Sequence, residues 1–426
     1  MEASSIRTCR LSTFNIETYK MSMTHPFAKR RSFIKAGVAG AAVLGAPGLL
    51  HAQPAPIRVG ILQPVTGAFA MDGGFGRTGA VMGIAKVNAM GGIKALGGAR
   101  FDMVFADARS NARVAAQQVE QMNSQGVVAI IGGFASPLCM AASQMASRYN
   151  LPYIVDVGVA DQIIQRGLRN TFRFSPGFSL CTQAAIRNLL TINDAAGRPS
   201  KTVVLVHEDG LFGSGLARMI ATELPRHGFE LLDSIAHPTP ARDMSDIALR
   251  IRSLKPDLII PSSYYEETVL LMRTLQQQRV RAKGVFSVLN GAASNLRFAK
   301  EFPLAAENIM DCNHWHDPRK PDGQELRRQV EAAGKPWNFN IVINYSDVLL
   351  LADALERAGS MERDALIDAL ASSTFEGHIM PYGPTRFVDG QNIGAAPVMT
   401  QVQQGDIKVI FPEEFSDAKP NYPLPV

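Results

Sequence analysis

Cysteine is scarce in this chain: four among 426 residues, one of which, Cys9, lies in the leading segment. Cys139, Cys181 and Cys312 remain, an odd number far apart in sequence. That excludes a disulfide-stapled scaffold and leaves either one bridge or buried free thiols open. Charge is also sparse, at 19% against 46% hydrophobic residues, a balance that excludes a disordered chain. One-sided charge is missing from the body. Of 43 basic and 38 acidic residues, seven (Arg7, Arg10, Lys20, Lys29, Arg30, Arg31, Lys35) and two (Glu2, Glu17) precede residue 53, leaving 36 of each sign. A body of zero net charge has no electrostatic footprint for nucleic acid. Catalytic signatures are absent as well: the chain has no Gly-x-Ser-x-Gly elbow, His-Glu-x-x-His helix or phosphate-loop lysine.

The leader itself is informative. Lys29-Arg30-Arg31-Ser32-Phe33-Ile34-Lys35 precedes an apolar, small-residue run over 36–50 and a small residue at Ala52, the pattern of an export signal cleaved after Ala52. The paired arginines resemble the twin-arginine signal. The run holds four glycines and Pro47 and falls short of the ~20 apolar residues of a spanning helix. The mature protein is therefore expected free in the periplasm, with the stretch before Met21 or Met23 carrying no structural weight.

From Ile57 onward, β-rich runs alternate with helical patterns, as in an α/β protein with parallel sheets. The spacing predicts strands over 57–62, 101–106, 127–131, 153–157 and 171–174, with helices over 77–90, 112–125 and 137–149 between them. A second series follows, with strands over 202–206, 230–235, 258–260 and 285–288 and helices over 181–192, 215–227, 243–253 and 266–278. Two similar doubly wound units suggest two lobes facing a ligand cleft. A helix over 343–358, apolar all round, a hairpin over 398–411 and a loose tail over 420–426 complete the expectation.

Several segments carry candidate chemistry. Gly74-Phe75-Gly76-Arg77-Thr78-Gly79 has dinucleotide-fingerprint spacing, but about ten residues separate it from the preceding strand, so a mobile rim loop is favoured. In Ile131-Gly132-Gly133-Phe134-Ala135-Ser136-Pro137, Ser136 is placed to be an N-cap and Pro137 to open a helix. Such a helix start holds a carboxylate without a basic side chain. Asp156-Val157-Gly158-Val159-Ala160-Asp161 ends the next strand beside it. His207-Glu208-Asp209 has no nucleophile nearby and suits a rim or hinge. Asp311, Cys312, His314, His316 and Asp317 form the one dense group of metal-ligand types, for which solvated polar residues at a lobe crossing are favoured over a metal. Phe69, Phe134, Phe212, Tyr264 and Tyr265 fall at strand ends of both lobes and suggest a ligand with an apolar part.

The order of segments resembles the periplasmic binding proteins of the branched-chain amino acid, or leucine/isoleucine/valine-binding, type. Pro64-Val-Thr-Gly67, Val87-Asn-Ala-Met-Gly-Gly-Ile93, Val204-Leu-Val-His-Glu-Asp-Gly-Leu-Phe-Gly-Ser-Gly-Leu216 and Lys255-Pro-Asp-Leu-Ile-Ile260 carry the likeness over nearly the whole mature chain. The resemblance implies a type I periplasmic binding protein fold: two Rossmann-like lobes joined by three crossovers, near Pro176, Asn313 and Gly377. Lobe I would then be 53–176 plus 314–377 and lobe II 177–313 plus 378–416, between a leader of 1–52 and a tail of 417–426. It implies a non-catalytic, cofactor-free receptor, without nucleic acid or metal, that passes a small molecule to an inner-membrane ABC permease and is monomeric. It places the ligand carboxylate at Ser136, the α-carbon groups at Val157, Gly158 and Val159, aromatic contacts at Phe212 and Tyr264, and a rim contact at Asp72 or Met71. Val159 stands where the family often has a threonine, and Leu289 and Asn290 stand where a glutamate usually meets the ligand's ammonium. Asp156 or Glu266 could substitute; otherwise the ligand is an amine-free acid. The expected ligand-binding set is thus Phe134, Ala135, Ser136, Val157, Gly158, Val159, Phe212, Tyr264, Asp72 and Asn290. Two other readings stay open: an exported oxidoreductase holding a dinucleotide at 74–79, and a ligand-sensing subunit of a membrane signalling system.

Overall fold

The structure, a computed structural model, describes residues 54–426; the leader and its expected cleavage after Ala52 lie outside the described residues. Five strands come first: β1 (Ile57–Gln63), β2 (Phe101–Asp107), β3 (Ala129–Gly132), β4 (Tyr153–Val155) and β5 (Thr171–Arg173). Five more follow: β6 (Thr202–Glu208), β7 (Glu230–His237), β8 (Leu258–Ser262), β9 (Gly284–Val288) and β10 (Met310–Asn313). Short β11 (Phe387–Val388) and β12 (Gln391–Asn392) precede the hairpin of β13 (Val398–Gln403) and β14 (Asp406–Phe411). They build two seven-stranded sheets, β11-β12-β5-β4-β3-β1-β2 and β14-β13-β10-β9-β8-β6-β7. The five leading strands of each sheet run parallel in the same order, and both faces are helix-covered, which is why β3, β4 and β8 are buried at every position. In both sheets the order reverses at the first strand of the series, and the cleft lies at the strands' C-terminal ends.

The chain changes sheet after Arg173 and again after Asn313. The third change differs from the expectation at Gly377: β12 pairs with β5, Gln391 opposite Arg173, so the first lobe extends through Asn392 and the return falls between Asn392 and Val398. Gln391 also receives the Arg173 guanidinium at 2.7 Å, and short strands of two residues leave little periodicity to read. The tail, expected loose, is docked on the second lobe. Tyr422 Oη donates to Asn193 Oδ1 at 2.8 Å, and Leu424 N–H donates to the Lys283 carbonyl.

The first helix spans Ala70–Ala89, seven residues earlier than expected, so the Gly74–Gly79 segment is helical rather than a mobile loop. Its glycines serve packing. A Cβ on Gly73 would lie 2.2 Å from the Pro64 carbonyl oxygen, and one on Gly79 would lie 2.3 Å from that of Ile341. Helix Phe339–Ala358, in which 16 of 20 residues are buried, thereby presses directly against the first helix. Asn338 starts it by accepting from the N–H groups of Asn340 and Ile341. The three cysteines 139, 181 and 312 are all buried free thiols. Among the described residues no helix is long and apolar enough to cross a membrane.

Candidate functional site

The loops after β3, β4, β8, β9 and β10 converge on a small cavity of about 30 Å³. Phe134, Ala135, Ser136, Val157 and Val159 form its wall from the first lobe, with Phe339 from the long helix; Phe212, Ser263, Tyr264, Leu289, Gly291, Asn313 and His314 form the rest. Seven of the ten expected residues are brought together here. Gly158 lies between two lining valines but faces inward, where a Cβ would meet the Cys139 sulfur at 2.6 Å. Asp72 is buried outside the wall, its Oδ1 accepting from Asn340 at 3.0 Å. Asn290 shapes the wall without lining it: its Oδ1 accepts from Ala292 and Ala293 N–H groups and its Nδ2 donates to Thr268.

Two lobes hold their loops by the same device. Phe134 and Leu289, each just past a strand, sit at positive φ (56° and 53°), a conformation unfavourable for side chains of this size. A carboxylate on the next strand region fastens each turn: Asp156 Oδ1 accepts from Phe134 N–H at 2.9 Å, and Asp311 Oδ1 from Asn290 N–H at 3.2 Å. The remaining oxygen of each is also engaged, by Gln63 and Asn344 for Asp156 and by Ser294 and Asn313 for Asp311. Burial raises the affinity of both for a proton, Asp311 to a pKa of about 6. Neither faces the cavity, and Glu266 does not line it, so the suggested substitutes for a missing glutamate are not placed to meet a ligand.

Four helices begin at the cleft, and their N-termini differ; that of Phe339–Ala358 is capped by Asn338. Helix Leu211–Glu223 has its first N–H groups filled by Glu208, which accepts from Gly210 and Gly213 at 2.7 Å each. That capping explains the acidic end of β6. Helix Tyr265–Gln277 carries Glu266 and Glu267 in its first turn and is covered by Gly291, where a Cβ would lie 2.6 Å from Tyr265 N. Helix Ser136–Arg148 has no acidic residue in its first turn and no side-chain cap. Ala135, not Ser136, is its N-cap, because Pro137 already occupies the first turn and the Ser136 hydroxyl turns to the β4 loop. There Ser136 Oγ accepts from Ala160 N–H at 3.2 Å, which leaves its own proton free to donate.

The second lobe supplies the opposite polarity. Pro238's carbonyl can only accept, so His237 carries its proton on Nδ1 and its Nε2 accepts from Ser263 Oγ at 2.7 Å. Ser263 therefore shows the cavity only lone pairs. Asn313 is saturated by Asn290, Asp311 and the His314 N–H. His314 is 1% exposed, both its ring nitrogens lack partners, and burial pushes its pKa down to about 3, so the ring is neutral. The group 311–317, expected to be solvated, is buried, and among the described residues no cluster fit to hold a metal occurs. Tyr264 closes the cleft: its ring lies 5.0 Å from Phe212 and, across the gap, 4.7 Å from Phe69 and 6.0 Å from Phe134.

Sequence reading missed Ser263, Gly291, Asn313, His314 and Phe339 as lining residues. Ser263 directly precedes the selected Tyr264, and His314 was noticed only as a metal-ligand type. Phe339 escaped because its helix starts four residues before the expected 343.

A family model described as periplasmic binding protein matches residues 56–406. A Leu/Ile/Val-binding protein homologue from Brucella melitensis is 25% identical over 374 residues, covering 84% of this chain and 92% of its own. A leucine-binding protein from Thermotoga maritima superposes with a TM-score of 0.72 at 20% identity, over 83% of this chain and 97% of its own. A solute-binding protein of an ABC transporter from R. palustris, solved with benzoate, gives 0.72 at 20% identity, over 85% and 99%. The doubly wound lobes thus have solved counterparts, and the chain belongs to the periplasmic binding protein family.

Proposed function

We propose that this protein is the solute-binding component of an ABC transporter, capturing a small carboxylate-bearing solute between its lobes and delivering it to an inner-membrane permease. The relatives' names support the role, and one observation carries the carboxylate. Of the four helices that begin at the cleft, Ser136–Arg148 alone has neither an acid nor a side-chain cap at its start, and it presents the free Ser136 proton as well. Leu138 and Cys139 N–H groups close onto the Ala135 carbonyl, so the Ser136 N–H and hydroxyl, at the positive end of the helix, are the donors left for an anion. The aromatic and valine walls take the solute's apolar part.

The receptor is non-catalytic. The relatives carry that reading: they are named for binding leucine, isoleucine and valine or as a solute-binding protein. Export by the twin-arginine leader, cleavage after Ala52 and a monomeric periplasmic form complete the reading. Ligand binding biases the closed state because only there do both lobes touch the solute. Calorimetry on ligand-stripped protein 53–426 with a panel of small carboxylates tests the reading. At least one should bind with micromolar or tighter affinity, and Ser136→Ala should weaken it about tenfold, the effect of a lost hydrogen bond to a charged group. No binding by any carboxylate, from a folded preparation, would refute it.

A further inference from the structure

We propose that the cleft selects carboxylic acids without an amine over amino acids, and that His314 is the side chain that reads the polar group of the solute on the second lobe. This rests on the cleft being the carboxylate site described above. No residue lining the cavity is acidic. Three carboxylates behind its walls are already taken up by internal donors, Asp156 by Phe134, Gln63 and Asn344, Asp311 by Asn290, Ser294 and Asn313, Glu208 by Gly210 and Gly213, and Asp72, outside the wall, accepts from Asn340. An ammonium drawn from water into this cavity would meet only the lone pairs of Ser263 and an uncharged imidazole, which do not replace a counter-charge.

His314 supplies the positive half of the inference. A buried side chain with two hydrogen-bonding atoms and no partner is rare in a folded protein, and here it lines the cavity and is 1% exposed. A neutral imidazole offers one donor and one acceptor, so it matches a carboxylate oxygen, a carbonyl or a hydroxyl, and it gives an ammonium no charge complement. Phe339, with its ring 6.4 Å from that of His314, provides an apolar surface beside it.

The test uses matched probes: L-phenylalanine, 3-phenyllactate and 3-phenylpropanoate, then L-leucine, 2-hydroxy-4-methylpentanoate and 4-methylpentanoate. They are titrated by calorimetry into ligand-stripped protein. In at least one series the amine-free acids should bind ten times or more tighter than the amino acid. An amino acid that binds as tightly as its amine-free partners, or tighter, overturns the inference while leaving the carboxylate receptor standing. Failure of all six to bind overturns both. His314→Phe should weaken the best acid at least tenfold. Because that variant could misfold, the ring nitrogens of ¹⁵N-histidine in the unaltered protein are followed too. His314, assigned by its loss in the variant or by elimination among the six histidines of 53–426, should shift on addition of the acid. An unmoved His314 resonance overturns its role.

Discussion

Asp72 offers the sharpest test of how burial governs this protein, because its carboxyl is held 4% exposed with one donor, Asn340, and burial pushes its pKa from 3.8 to about 7. A carboxyl whose folded pKa lies above its unfolded value binds its proton more tightly in the native state. Its contribution is therefore full at acid pH and is lost as pH rises from the unfolded pKa through the folded one. The span corresponds to about 4 kcal/mol, of which about 3 falls between pH 5 and 8. Asp72→Asn replaces the neutral acid with a neutral group of the same shape whose oxygen still accepts from Asn340. The two proteins should be nearly equally stable below pH 4, and the variant should be about 1.5 kcal/mol more stable at pH 5 and about 4 kcal/mol more stable at pH 8. Urea denaturation of both proteins at these pH values measures this. Parallel pH dependences would refute the reasoning, and so would loss of binding of an amine-free acid by the variant, since Asp72 would then be serving the ligand.

Two further perturbations address packing and closure. Gly79→Ala drives a methyl onto the Ile341 backbone, with no flexible side chain to yield, so it should cost about 1–3 kcal/mol in urea denaturation; an unchanged midpoint would show that the two helices are free to separate. Tyr264→Ala removes ring contacts with Phe69 and Phe134 on the opposite lobe, each worth about 0.5–1.5 kcal/mol. Solute affinity should fall about tenfold and small-angle scattering of the liganded protein should show a more open form, whereas affinity within twofold of the original would deny Tyr264 a part in closure.

The doubly wound series was legible because the inner parallel strands are buried on both faces and most helices between them are amphipathic, so period and composition agree. What escaped was set by contacts distant in sequence. Gly74 and its neighbours look like a loop because glycine disfavours helix; the close approach of Pro64 and Ile341, which demands glycine at 73 and 79, is a tertiary fact. The third crossover was misplaced because β11 and β12 are two residues each and are recruited by β5, some 218 residues earlier for Gln391 and Arg173. At the site, lining positions on strand-to-helix loops could be found from sequence order. The roles of Glu208, Asn290 and Asp311 could not: an acid at a strand end reads alike whether it meets a ligand or fastens a backbone turn.

Three buried histidines give the acid side of the same balance. His314 and His316 are pushed to pKa values of about 3 and His378 to about 4, each chiefly by burial. For His316 the hydrogen bond agrees: the Trp337 indole only donates, at 3.2 Å to Nδ1, which must therefore be unprotonated. A histidine with a depressed folded pKa stabilises the native state above the unfolded value of 6.5, and that contribution is lost as pH falls below it. From pH 7 to 5 each loses about 2 kcal/mol, about 6 in all. Over the same interval Asp72 and Asp311, with pKa values raised to about 7 and 6, take up their protons in the native state and return about 4 kcal/mol. Burial raises Asp156, Asp347, Glu208 and Glu267 as well, and these act alike in both proteins, so the difference isolates Asp72: between pH 7 and 5 Asp72→Asn should lose about 2 kcal/mol more than the unaltered protein. Equal losses in the two proteins would mean that the buried carboxyl does not offset the histidines.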